Sequence, residues 1–141
     1  MVVVDANVLV YAFDSLSPYH ADSRRWLDGA LAGGEAVGFA WTVVLAFLRL
    51  TTNPAVFATP ASVEDAAAQV ERWLDAPAAV VVEPTSRHLA VLRGLLATTG
   101  TAANLVNDAH LAALAVEHGA SVASFDRDFQ RFPGVRWRLP A

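Results

Sequence analysis

The chain has no cysteine and no lysine, and none of its apolar stretches runs unbroken for the roughly 20 residues that a membrane-spanning helix needs. The missing cysteine excludes disulfides and thiolate metal sites and is compatible with a cytoplasmic location, which is the expectation. No Gly-rich loop ends in Lys-Ser or Lys-Thr, so a P-loop is excluded. No Gly-x-Ser-x-Gly elbow is present, which removes that hydrolase class. The N-terminus lacks a basic region and Asp5 interrupts its apolar stretch, so no signal peptide is expected. His20, His88, His110 and His118 show no zinc-ligand spacing, and His110 is assigned a packing or surface role despite its nearness to Asp108. The net charge is −4, so any contact with nucleic acid must be local rather than spread over the surface. All ten basic residues are arginine; a GC-rich genome explains that bias better than a phosphate-binding surface does, although arginine suits bidentate phosphate contacts.

What is present is a chain of 141 residues, 55% hydrophobic, enough for one domain with a sizeable core. Val2-Val3-Val4 reads as a buried central strand of a parallel sheet, because such strands are continuous β-branched runs rather than alternating ones. Further strands are expected at 36–41, 80–82, 120–124 and, at an edge, 135–139. Helices are expected over 6–13, over 18–32 with Ser17 as cap, and over 42–50 with Thr42 as cap. Three more are expected over 62–75 with a Ser62/Asp65 capping box, over 86–98, and from Asn107 or Asp108 to Gly119. The 42–50 helix is apolar nearly all round and is expected to be buried. Loops are expected at 55–61 and 98–101. Strands alternating with helices predict an α/β fold, a parallel sheet covered by helices on both faces.

Three acidic groups share one context in this pattern. Asp5 follows the first strand, Asp108 opens the most apolar helix, and Asp126 and Asp128 follow the fourth strand. In a parallel sheet, strand C-termini and helix N-termini lie on one edge, where ligands bind in open α/β folds. Taken singly, Asp5 and Asp108 are good helix N-caps, and Asp126 and Asp128 suit a solvated turn. Taken together they form a set of like charges that a bound cation or a shared proton must relieve. Carboxylates without histidine or cysteine partners suit Mg²⁺ or Mn²⁺ rather than Zn²⁺.

The runs Val4-Asp5-Ala6-Asn7-Val8-Leu9, Asn107-Asp108-Ala109-His110-Leu111-Ala112-Ala113-Leu114-Ala115 and Ser124-Phe125-Asp126-Arg127-Asp128-Phe129 together resemble PIN-domain ribonucleases. More narrowly, they resemble the VapC toxins of bacterial VapBC toxin–antitoxin pairs, as does Phe47-Leu48-Arg49-Leu50-Thr51-Thr52-Asn53-Pro54. The resemblance spans nearly the whole chain. It implies a single PIN-like domain over 1–141, with a three-layer α/β/α fold around a central, mostly parallel sheet. It implies a toxic endoribonuclease that hydrolyses RNA phosphodiester bonds with Mg²⁺ or Mn²⁺. Asp5, Asp108 and Asp126 match the catalytic, metal-holding aspartates; Asp128 matches a more variable acidic position, and Asn7 and Ser124 match supporting polar positions. Arg49 and Arg127 are candidates to steady a phosphate, the alternative for each being an ordinary surface side chain. The resemblance further implies tRNA or rRNA as substrate, a cognate VapB-like antitoxin, a homodimer and no membrane association. Val56 and Phe57, in a loop between Pro54 and Pro60, are the expected edge of the partner groove.

One feature departs from the family. A glutamate commonly precedes the segment like Phe47-Leu48-Arg49, and here that position is Ala46, with no acidic residue between Glu35 and Glu64. Two alternatives stand beside the ribonuclease, the first resting on Ala46 and the second on an aspartate after the first strand. One is a degenerate PIN module that binds RNA or a partner without cutting. The other is a haloacid-dehalogenase-like phosphatase, which needs Asp-x-Asp where this chain has Asn7, and a lysine that it lacks.

Overall fold

The structure, a computed structural model, describes residues 1–100 and 102–141. The strands are β1 (Val2–Val4), β2 (Val37–Ala40), β3 (Ala79–Val82), β4 (Ser121–Ala123) and β5 (Trp137–Arg138). The helices are α1 (Ala6–Phe13), α2 (His20–Leu31), α3 (Trp41–Thr51), α4 (Val63–Leu74), α5 (His88–Ala97) and α6 (Val106–Glu117), with short 3₁₀ turns at Ala103–Leu105 and Arg127–Arg131. Of the loop expected at 98–101, Thr101 lies outside the described residues.

All strand pairs are parallel, in the order β3-β2-β1-β4-β5. β1 lies at the centre and is fully buried, as a Val-Val-Val run requires. The chain steps outward from β1 to β2 and β3, then returns to place β4 on the other side of β1. The strand order therefore reverses between β1 and β4, and the crevice beyond their C-terminal ends is the place where this topology puts ligands. α1 packs on α2 and α3, α3 on α4, and α5 on α6, forming the helical layers of an α/β/α fold. Phe47 of α3 ties α1 and α4 together, edge-on to Phe13 and Trp73 at centroid distances of 5.4 and 5.1 Å.

Several local expectations change. Ser17 does not cap α2; its hydroxyl accepts from the Tyr19 amide and the helix starts at His20. α3 has Ala40 rather than Thr42 at its cap position. It is also not buried all round: Val43, Val44 and Phe47 face the core, while Trp41 and Leu45 are more than half exposed. An apolar composition cannot distinguish a helix enclosed on every side from one in an outer layer. β3 is an edge strand with Val81 exposed, not a buried one, because among the described residues no strand pairs beyond it. α5 begins at His88 rather than Ser86 and leaves Leu89 exposed. Ser62 does cap α4, accepting from the Asp65 amide at 3.0 Å.

Candidate active site

Asp5 ends β1, and its amide still donates to Ala123 of β4 at 3.0 Å. Its side chain does two things at once. Oδ1 accepts from the Ala6 backbone amide at 2.7 Å, capping α1, while Oδ2 accepts from the Ser124 hydroxyl at 2.7 Å and weakly from the Asn7 side-chain Nδ2 at 3.4 Å. The carboxylate that caps α1 therefore also lines the crevice, because a helix that starts directly after a central strand points its N-terminus there.

Ser124, fully buried just past β4, is the hub of the support. Its oxygen donates to Asp5 and accepts from the Asn7 side-chain amide at 3.0 Å and the Asp126 backbone amide at 2.9 Å. Asn7 Oδ1 in turn accepts from the Phe125 amide at 3.2 Å. The ends of β1 and β4 are thereby joined by side chains one hydrogen bond away from the acidic group.

Asp108 sits in the first turn of α6. The N-cap position of that helix is Leu105, because the 3₁₀ turn Ala103–Leu105 runs directly into it, and no side chain caps it. The capping explanation for Asp108 therefore fails, and among the described residues its carboxylate has no hydrogen-bond or ion-pair partner. Asp126 accepts from the Asp128 amide at 2.8 Å, which turns Asp128 back toward it. Carboxylate oxygens of Asp108, Asp126 and Asp128 all lie within 4.8 Å of one another. Asp5 stands beside this trio, with its oxygens committed to Ala6, Ser124 and Asn7.

The charges register the crowding. Burial, followed by the charges of Asp5, Asp126 and Asp128, pushes Asp108 up to about 6. Burial also raises Asp5 above the ordinary carboxylate range; the hydrogen bonds from Ser124 and Ala6 oppose that shift, and the charge of Asp126 adds to it.

Two clefts flank the cluster. One, about 520 Å³, is lined by Asp5 and Asp108 together with Ala46 and Arg49. Ala46 therefore does face the carboxylates, and no acidic side chain stands in its place. Arg49 is exposed and, among the described residues, unpaired. The other cleft, about 550 Å³, is lined by Asn7, Tyr11, Tyr19, Phe125, Asp126 and Arg127 among others. Arg127 stacks over Trp137, 6.0 Å from the ring centroid.

His110 is turned away from the cluster, with Nδ1 2.8 Å from His88 Nε2 across the α5–α6 contact. His88 Nδ1 in turn meets Glu117, which also accepts from Thr85. This agrees with a packing role. The aromatic wall formed by Tyr11, Tyr19 and Phe125 was missed at the sequence level. The one available signal was Tyr11, a helical turn after Asn7 and so on the same face of α1.

A family model described as the PIN domain matches residues 2–135. The chain belongs to the PIN-domain family. Within this family it is 58% identical to Ribonuclease VapC37 of Mycobacterium tuberculosis over 140 residues, covering 99% of this chain and 97% of that protein. It is 41% identical to Ribonuclease VapC43 of the same species, covering 99% and 95%. This PIN domain is thus a member of the VapC ribonucleases. Its fold is similar to that of VapBC2 from Rickettsia felis, solved bound to a promoter DNA fragment, with a TM-score of 0.72 at 15% identity and 98% of both chains covered. It is also similar to Mycobacterium tuberculosis VapC20, described as a sarcin-ricin loop cleaving toxin, with a TM-score of 0.68 at 18% identity, covering 96% and 99%. At those identities the structures speak for the fold alone. The phosphatase alternative falls with the family assignment. No helix among the described residues is long and apolar enough to cross a membrane.

Proposed function

We propose that this PIN domain is the toxic endoribonuclease of a VapBC-type pair and that it hydrolyses RNA phosphodiester bonds at the aspartate cluster. The observation that carries this reading is the convergence of Asp5, Asp108, Asp126 and Asp128 at the reversal of strand order. The donor set is all carboxylate, with one member unpartnered and pushed up to about 6; this suits a hard divalent cation, Mg²⁺ or Mn²⁺. Asp108, Asp126 and Asp128 would hold it, with Asp5 at their side. Held there, it would supply Lewis-acid chemistry at the scissile phosphate and to the attacking water.

The chain's own groups do the positioning. Ser124 and Asn7 fix the Asp5 carboxylate and the turn that carries Asp126. Arg49 in one cleft and Arg127 in the other give a strand crossing the cluster a cation on each side, which answers how an acidic protein holds RNA locally. Arg49→Ala is expected to weaken RNA binding several-fold and to flatten its salt dependence, measured by anisotropy over a salt series. An unchanged slope would remove Arg49 from the path of the strand.

Cleavage of total RNA by the purified chain, with Mg²⁺ or Mn²⁺ against chelator and beside Asp5→Asn, tests the function. Cutting that needs both the ion and Asp5 supports it. Binding without cutting supports the degenerate-module reading, which Ala46 favours. Ala46→Glu is expected to tighten Mn²⁺ binding by titration calorimetry, because it adds a carboxylate to the wall shared by Asp5 and Asp108. No change in affinity or stoichiometry would show that position 46 does not reach the ion.

tRNA or rRNA is the proposed substrate class, and a VapB-like antitoxin with a homodimeric toxin the proposed assembly. Trp41 and Leu45, one turn apart on α3, and Val56 are exposed apolar candidates for these contacts. Phe57 is half-buried and packed against the core, so Phe57→Asp would cost stability as well as binding. Val56→Asp is the cleaner test. Recovery of the co-expressed antitoxin is expected to fall while the melting temperature holds, and equal recovery would place the groove elsewhere.

A further inference from the structure

The second cleft holds an arrangement that cluster chemistry does not use. Tyr11, Tyr19 and Phe125 form a closed triangle, with ring centroids 5.0, 5.3 and 5.2 Å apart. Core aromatics are covered, but here Tyr19 is 48% exposed and the other two rings are half-buried. Neither tyrosine hydroxyl has a hydrogen-bond partner among the described residues. The platform is nonetheless firmly held. The Tyr19 amide donates to the Ser17 hydroxyl at 3.1 Å, and the His20 ring meets the Tyr11 carbonyl at 2.9 Å. It also shares backbone with the acidic site: Tyr11 lies one helical turn after Asn7, and Phe125 lies between Ser124 and Asp126. Asp126, Asn7 and Arg127 line the same cleft.

We propose that this wall is a base-stacking subsite, in which Tyr19, backed by Tyr11 and Phe125, receives one unpaired nucleobase of the RNA adjoining the phosphate presented to the carboxylates. The proposal rests on the ribonuclease reading and specifies its substrate class. A stacking face, a cation and a carboxylate cluster side by side match base, phosphate and scissile bond of one nucleotide. Aromatic rings take bases of any identity, because every base has a π face. A base within an A-form duplex is already stacked and unavailable. The subsite therefore selects single-stranded or looped RNA and discriminates weakly among bases. An aromatic or proline side chain of a protein partner would also fit the rings, but it would use neither Arg127 nor the continuity with Asp126.

The test is run without turnover, in an Asp108→Asn background, with short single-stranded oligoadenylates carrying 2-aminopurine at each position in turn. Quenching is expected at one position. Adding Tyr19→Ala should restore the emission and weaken binding about tenfold, within the range known for single base–aromatic stacks. Tyr19→Phe should keep both the quenching and the affinity, since it keeps the ring. An abasic site at the quenched position should remove the difference between the parent protein and Tyr19→Ala. Quenching that survives Tyr19→Ala overturns the proposal. So does an equal loss of affinity for intact and abasic strands, which would mean that the ring acts through the fold, and so does an absence of RNA binding. Failure of the ribonuclease reading is seen separately, as no cutting of RNA by the chain with Asp108 intact.

Discussion

Asp108→Asn is expected to abolish metal-dependent RNA cleavage, a loss of about 10³-fold or more, while the metal-free protein melts at the same temperature or higher. The two halves of this result have one cause. Asp108 is the carboxylate of the cluster without a hydrogen-bond or ion-pair partner among the described residues, half-sunk among three like charges, and it is pushed up to about 6. Its charge costs the fold something that only a cation repays, and losing a cation site is worth several kcal/mol of transition-state stabilisation. The pH dependence follows from linkage. The folded-state pKa lies above the unfolded value near 3.8, so the folded protein binds more protons across that interval. Stability of the apo protein from this group therefore falls as pH rises from about 4 to about 6, and the cost is fully present above 6. Discounted for partial exposure, the cost is about 1–2 kcal/mol. Asp108→Asn should remove it, so the variant should gain most over the parent at neutral pH and little at pH 4. Protons compete with the ion for the same oxygens, so Mn²⁺ affinity of the parent should fall as pH drops through about 6. Calorimetric melting and Mn²⁺ titration at several pH values read both. A variant that cuts RNA at the parent rate, or melts lower at every pH, would remove Asp108 from the cluster.

Ser124→Ala is expected to weaken Mn²⁺ binding about 10- to 100-fold and to destabilise the protein by about 1–3 kcal/mol. Ser124 touches no ion in this reading. Its hydroxyl, fully buried, ties Asp5, Asn7 and the Asp126 amide to one oxygen. Without it, three half-buried polar groups lose a shared partner at the centre of the crevice. Asp5 also loses the hydrogen bond that most opposes its burial, so its pKa should rise further. Ser124→Thr retains the hydroxyl and should recover part of the affinity if the added methyl is accommodated. Unchanged Mn²⁺ affinity in Ser124→Ala would show that Asp5 and Asp126 need no such tie.

How much of this was legible beforehand varies by element. Val2-Val3-Val4-Asp5 was readable because a fully buried parallel strand has a composition of its own, and a carboxylate ending such a strand has few places to be. Ser62 with Asp65 was readable because a cap is a contact between residues three apart. Where a local pattern fits more than one environment, it misleads. Taken singly, Asp108 suits a cap, but the 3₁₀ turn before it carries the helix start upstream. α3 looked enclosed, but its position in an outer layer leaves Trp41 and Leu45 in solvent.

The sequence by itself determined the strand and helix alternation, the parallel sheet, the edge on which Asp5, Asp108, Asp126 and Asp128 must lie, and the hard-cation character of that set. These follow from periodicity and from donor chemistry, which short stretches encode. Tertiary structure alone decided that the strand order reverses between β1 and β4, that Asp108, Asp126 and Asp128 bring their oxygens mutually within 4.8 Å, and that Ser124 is the hub. It also brought Tyr11, Tyr19 and Phe125 together into one wall. The side-chain meetings among these join segments as much as 119 residues apart. Such meetings are set by sheet order and long-range packing, to which no local pattern of residues is sensitive.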